Sequence, residues 1–174
     1  MALNALLKAK PDYSNPERVR IKIAECAEAA GKIPEAMNEF KAVADSAPES
    51  SAAVDAKYRM AKLYETQNKT DDAFRLYEES ANTNTGDTAA RARFRLGELY
   101  EGKQDYDAAA RSYMRVAILF LHEQLSPESL WRAGQCFEKA GSRDQAKKSY
   151  DELIRDYGNS EQATKAKAAL AQLG

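Results

Sequence analysis

An all-α solenoid of helical hairpins is the fold this sequence predicts, and three observations predict it. An Ala-then-aromatic pair recurs as Ala36/Phe40, Ala73/Tyr77, Ala109/Tyr113 and Ala146/Tyr150, at steps of 37, 36 and 37 residues. Upstream of each pair lies a second apolar set: Ile23/Ala24/Ala27, Met60/Ala61/Tyr64, Leu96/Gly97/Tyr100 and Ala133/Gly134/Phe137. Alanine, Glu, Lys, Arg and Leu, all good helix formers, dominate the 174 residues, while the 8 glycines and 5 prolines fall at intervals. A fixed period of this length marks stacked supersecondary units, none of which buries its apolar face alone.

The two apolar sets of each repeat read as antiparallel helices, predicted at 16–30 and 33–47, 51–67 and 70–83, 88–103 and 105–123, and 127–140 and 143–157. Ser50, Asp87 and Ser126 suit N-cap positions, and Pro34 and Pro127 suit first turns. Asp71 and Asp72 fall in a first turn, where the helix dipole favours them. Ala61, Gly97 and Gly134 are small enough for the second helix to approach closely, and the aromatic three residues on fills the space beside them. A ninth helix at 160–172 would cover the last hairpin, as solenoid ends require.

Projecting the period backwards puts Leu3 and Leu6 at second-helix core positions and Pro11 where the next repeat has Pro48. Residues 1–12 therefore read as the second helix of a partial repeat, ahead of repeats at 16–50, 51–86, 87–125 and 126–159 and a capping segment at 160–174. The expectation is one solenoid domain, 1–174, that is a fragment of a longer protein. A natural half-repeat cap is the alternative.

The segments Phe94–Tyr113, "FRLGELYEGKQDYDAAARSY", and Trp131–Tyr150, "WRAGQCFEKAGSRDQAKKSY", resemble the tetratricopeptide repeat (TPR), whose loose pattern is a bulky residue, Leu-Gly, Tyr, then Gly, Ala, Phe, Ala and Pro. The resemblance covers nearly the whole chain. Earlier repeats are looser, with Arg20 and Lys57 at the bulky first position. A step of 36–37 residues, against about 34 in the common repeat, is similar to bacterial envelope TPR proteins. Examples are the periplasmic partner of the Tol-Pal system and the lipoprotein of the outer-membrane β-barrel assembly complex. The ending Glu152–Leu170 is similar to their terminal repeat, with Gly158 where they usually carry proline. The resemblance implies a right-handed superhelix with a concave groove for a peptide or helical segment of a partner protein. It leaves the compartment open between bacterial envelope and cytoplasm.

First-helix residues outside the core set form ladders. Ile21, Tyr58, Phe94 and Trp131 make the first, and a basic residue follows each: Lys22, Arg59, Arg95 and Arg132. Seven residues beyond each apolar rung stands Glu28, Glu65, Glu101 or Glu138, with Glu25, Lys62, Glu98 and Gln135 between. Candidate groove residues are Tyr58, Arg59, Lys62, Phe94, Arg95, Glu98, Trp131, Arg132 and Gln135. Aromatic residues and Arg dominate binding hot spots. The competing reading packs the aromatics between successive first helices and leaves Arg and Glu as a surface salt ladder worth little per pair. A second feature breaks the repeat: Ile118 and Leu119, with Leu121 close by, stand where other repeats are polar. They form either a self-association patch that makes a homodimer or a surface buried by a lengthened helix against repeat four.

Chemistry has little support. His122 is the lone histidine, with no nucleophile elbow beside it. Cys26 and Cys136 hold equivalent positions in different repeats and read as reduced packing cysteines. No Gly-rich phosphate loop or set of zinc ligands is present, so neither a cofactor nor a metal is expected. A net charge of −1 gives no basic excess for nucleic acid, and no apolar run is long enough to cross a bilayer. The sequence therefore predicts an interaction scaffold rather than an enzyme.

Overall fold

The computed structural model describes residues 16–83, 86–120 and 124–174. The predicted partial-repeat helix at 1–12, Leu121 and His122 lie outside the described residues. The described chain is all helix and turn. It divides into two compact units, one holding residues 16–83 and the other residues 86–120 and 124–174.

The first unit contains α1 (Pro16–Ala29), α2 (Ile33–Ser46), α3 (Ser51–Thr66) and α4 (Thr70–Thr83). The second contains α5 (Asp87–Gly102), α6 (Tyr106–Phe120), α7 (Leu125–Lys139), α8 (Arg143–Asp156) and α9 (Glu161–Leu173). Within each unit every helix packs on its chain neighbour, and the first helices of successive hairpins also touch, α1 on α3 and α5 on α7. The helix positions follow the predicted pairs closely.

Each hairpin turns in the same way. Gly31, Asn68, Gln104 and Gly141 all take a positive φ, between 58° and 76°. The residue after each returns its N–H to a carbonyl five residues back, as Lys32 to Ala27 and Ser142 to Phe137, both at 2.8 Å. This is the Schellman ending, which satisfies helix carbonyls that would otherwise lack donors. Glycine takes this conformation without cost, whereas Gln104 carries a Cβ there at about 1–2 kcal/mol.

Two expected caps are corrected. Ser50 does cap α3, accepting from the Ala53 N–H at 3.1 Å. Asp87, however, is the first residue of α5, and Gly86 holds the cap position. It serves the first turn instead, accepting from Arg91 Nε at 2.7 Å. Ser126 lies buried inside α7, one residue past its start, because the helix begins at Leu125.

The core follows the repeat. Phe40, Tyr77, Tyr113 and Tyr150, on the second helices, have no exposed surface. The glycines of the first helices make room for these rings. A Cβ at Gly97 would fall 2.6 Å from Tyr113 Cε1, and one at Gly134 would collide still more closely with the Tyr150 ring. α9 closes the second unit with Ala163 and Ala166 fully buried and Leu170 and Leu173 packed on the same core. Gly134→Val should lower stability by about 2–3 kcal/mol through overpacking. Gly102→Ala, where an added Cβ meets nothing within 4 Å, should be neutral or up to about 1 kcal/mol stabilising. Urea unfolding of the two variants beside the parent chain checks both. Equal behaviour of the two variants would contradict this account of the small residue.

Candidate functional site

The ladder positions come out half-buried on the first helices, each held by its own hairpin. The ring of Tyr58 lies 5.6 Å from that of Tyr77, Phe94 lies 5.1 Å from Tyr113, and Trp131 lies 5.3 Å from Tyr150. Each outer aromatic thus rests on the buried second-helix tyrosine, tilted or edge-on, the arrangement that ring quadrupoles favour. The rungs sit on the hairpin core rather than simply between successive first helices.

The same tyrosines carry the electrostatics. Tyr77 donates its hydroxyl to Glu65 at 2.7 Å and Tyr113 donates to Glu101 at 3.0 Å. Tyr150 donates to Glu138 in the same way. A ring this deep needs a partner for its hydroxyl, and a ladder glutamate supplies it. In the first hairpin Phe40 has no hydroxyl to place.

Two of the basic rungs, Arg59 and Arg132, reach backwards to the preceding hairpin. Arg59 donates to Glu25 at 2.7 Å, pairs with Glu28 at 3.6 Å and lies 5.9 Å from the Phe40 ring centre. Arg132 repeats this against α5 and α6. It approaches Glu101 at 3.3 Å and Glu98 at 3.7 Å, and its guanidinium lies 5.6 Å from the Phe94 ring and 5.9 Å from Tyr113. Within α7 it also donates to Glu128 at 3.1 Å. Arg59 and Arg132 therefore join one hairpin to the next, and Arg132 leaves only 33% of its side chain exposed. Arg95 donates to Glu98 at 2.6 Å. Lys62 is exposed and Gln135 half-buried. The Arg–Glu ladder of the competing reading is present at these two steps; what spacing did not reveal is that each guanidinium also lies against a ring of the preceding hairpin.

Glu101 is shared, with Lys139 donating at 3.1 Å beside Tyr113 and Arg132. Burial by itself pushes its carboxyl up. The hydrogen bonds of Lys139 and Tyr113 and the charges of Lys139 and Arg132 outweigh that and hold it below the ordinary 4.5. Arg132 behaves likewise: burial works against its charge, and Glu128, Tyr113 and Glu98 more than compensate. Burial drives Tyr113 and Tyr150 well above the usual phenol range.

The cysteines part company. Cys136 is buried, and burial pushes its thiol up to about 12, which leaves it unreactive. Cys26 is exposed on α1, so it does not pack as expected. Ile118 and Leu119 are exposed at 57% and 55%, not covered by a following helix. Among the described residues no cluster of three or more His, Cys, Asp or Glu could hold a metal ion, and no helix is long and apolar enough to cross a membrane.

Hairpins repeated at one period, each turned by a positive-φ residue and, in the last two, locked by ring-on-glycine packing, define a helical-repeat protein. Two family models, both described as tetratricopeptide repeat, match residues 58–129 and 128–160. The chain belongs to the tetratricopeptide-repeat family. Among solved structures it is similar to MamA, at 19% identity over 98% of this chain and 88% of that one, with a TM-score of 0.63. It is similar to a TPR protein of Parabacteroides merdae at 18% identity, covering 98% and 64%, TM-score 0.62. It is also similar to BtubC of P. vanneervenii at 18% identity, covering 90% and 65%, TM-score 0.60. The chain spans just under two thirds of the length of the last two. At such identities the likeness shows the fold alone. A search of the curated proteins gives no match.

The depressed Glu101 carboxyl gives a pH prediction. A group whose folded value lies below its unfolded one adds stability above the unfolded value of 4.5, and that stability is lost as pH falls through the folded value. Glu101→Gln should cost about 1–2 kcal/mol at neutral pH. It should also flatten the fall in stability between roughly pH 5 and 3. Urea midpoints measured across that window check it, and an unchanged slope would remove Glu101 from the acid response.

Proposed function

We propose that this chain is a protein-interaction scaffold, not an enzyme, and that its first helices receive a peptide or helical segment of a partner. TPR repeats are generally protein-interaction modules, which supports the coarse reading. The observation that carries the finer one is the state of the outer aromatics. Phe94 and Trp131 stay half-exposed while their rings are fixed against buried tyrosines. A rigid aromatic surface binds with little ordering cost, which is what makes hot spots effective. On α5 and α7, Arg95, Glu98 and Gln135 add polar groups beside the rings, and Arg132 adds its remaining exposed edge. On α3 of the first unit, Tyr58 and Lys62 play the same parts, with Arg59 held mainly by Glu25.

Trp131 is the single tryptophan, so its fluorescence reports occupancy directly. Peptides selected from a displayed random library against the chain should shift Trp131 emission to the blue on titration. Trp131→Ala and Arg95→Glu should each weaken binding of those peptides about tenfold or more, a loss of about 1.4 kcal/mol. Selected peptides that leave the emission unchanged and bind both variants normally would place recognition elsewhere.

A second reading, a self-assembling subunit, has its own observation. Ile118 and Leu119 project from α6, and Arg115 and Arg111 lie exposed one and two turns before them. An exposed apolar pair of this kind suits a contact surface. Light scattering across concentrations decides it. A dimer dissolved by Ile118→Glu with Leu119→Glu would favour assembly, and a monomer at every concentration would remove it.

A further inference from the structure

Arg59 and Arg132 occupy matching seats, each made by the hairpin before it. Arg132 lies over Phe94 and Tyr113 and approaches Glu98 and Glu101 of α5. Arg59 lies over Phe40 and approaches Glu25 and Glu28 of α1. The fourth repeat builds the seat again. Trp131 stands in the register of Phe94, Tyr150 in that of Tyr113, Gln135 in that of Glu98 and Glu138 in that of Glu101, each 37 residues on. The Trp131 and Tyr150 rings lie 5.3 Å apart, against 5.1 Å for Phe94 and Tyr113. Tyr150 donates to Glu138 as Tyr113 does to Glu101.

What differs is the helix that follows. α9 stands as the next first helix would, because Ser160 caps it by accepting from the Ala163 N–H at 3.1 Å, as Ser50 caps α3. Ala163 and Ala166 are buried in the register of the buried Ser126 and Ser129 of α7, again 37 residues on. The same register brings Ala169, not an arginine, to the position of Arg132. Among the described residues no cation stacks on Trp131 and none pairs with Glu138, whose partner is the Tyr150 hydroxyl. Two cations stand near in the chain and both are engaged elsewhere. Lys139 turns back to Glu101 at 3.1 Å, and Arg143 donates to the Leu173 carbonyl. Glu138 is exposed and Trp131 half-exposed, and a recess of about 300 Å³ reaches the carboxylate, lined also by Gly141, Arg143 and Leu173.

We propose that this seat takes an arginine side chain of the partner segment, which rests on the reading of Trp131 as a peptide contact and names the residue it contacts. The guanidinium stacks on Trp131, pairs with Glu138 and donates to the side-chain carbonyl of Gln135. Indole is the aromatic face that attracts a cation most strongly. A carboxylate that accepts one phenol hydrogen bond keeps acceptor sites for a second donor. A planar guanidinium can stack and donate sideways at once, which an ammonium cannot. Gln135 in place of a second glutamate leaves one carboxylate instead of two, so the hold is weaker than that on Arg132 and suits a reversible partner. A single side chain makes few contacts, so short probes should bind in roughly the millimolar range.

The test follows the indole N–H of Trp131, the single tryptophan, by ¹⁵N–¹H NMR. The chain is titrated with N-acetyl-argininamide, with its lysine analogue and with its uncharged citrulline analogue. Arginine should give saturable shifts, lysine should bind about threefold more weakly and citrulline about tenfold more weakly. Glu138→Gln keeps an acceptor for the Tyr150 hydroxyl and should weaken arginine binding about fivefold. Ala169→Arg supplies the guanidinium from α9 itself and should abolish the shifts without lowering the thermal midpoint. No shifts up to about 20 mM, equal binding of lysine or citrulline, or unchanged binding by Glu138→Gln or Ala169→Arg would each overturn the assignment. Library-selected peptides that shift Trp131 emission yet bind Ala169→Arg as tightly as the parent chain would overturn the seat and leave peptide recognition standing. Saturation by argininamide, with no peptide shifting Trp131, would do the reverse.

Discussion

The contact on which the rest depends is a tyrosine ring laid against a helix that has no side chain at that point. Gly97 under Tyr113 and Gly134 under Tyr150 fix how closely the two helices of a hairpin approach. Close approach puts the phenol hydroxyl within reach of a glutamate on the first helix, as in Tyr113 to Glu101. It also gives the outer aromatic of that helix a ring to rest on. Depth, hydrogen bond and outer ring therefore come as a set in the hairpins of Tyr77, Tyr113 and Tyr150, and the first hairpin, with Phe40 and Ile21, lacks the last two.

Charge then joins hairpin to hairpin. A surface ion pair contributes little, because water screens it and two long side chains must be ordered. Arg59 and Arg132 escape part of that weakness. Each guanidinium lies over a ring and between two carboxylates of the preceding first helix, partly shielded from water. Planar guanidinium suits this stacked, multiply bonded position better than an ammonium does. The price is recognition capacity, since an Arg held by its own protein has less to offer a partner. The family's interaction role accordingly falls, in the proposed reading, on the half-exposed Phe94 and Trp131.

Much of the fold was legible in the sequence because both helices of a repeat carry small and aromatic residues at a fixed spacing. Gly97 and Gly134 announced the close crossing, but the rings that the structure lays on them are Tyr113 and Tyr150 of the second helices, not the aromatics three residues on. The hairpin turn was legible only in part: Gly31 and Gly141 mark it, but Asn68 and Gln104 take the same positive φ without the glycine signature. Caps were harder still. Ser126 looks like an N-cap by residue type, yet α7 starts at Leu125 and the serine is buried within it. A cap depends on where the chain enters the helix, which packing decides.

The sequence by itself determined the class of protein, the number and order of the described helices, and the register of their cores. Those follow from local periodicity and from the few residues small enough to let helices touch. Only the tertiary structure decided what the polar ladder does. Whether Arg132 points to a partner or back to Glu98 and Glu101, whether Ile118 and Leu119 are covered, and whether Cys26 packs all turn on which helix stands beside which face. A repeating sequence presents the same residues at every step, and their fate depends on the neighbour that folding brings to them.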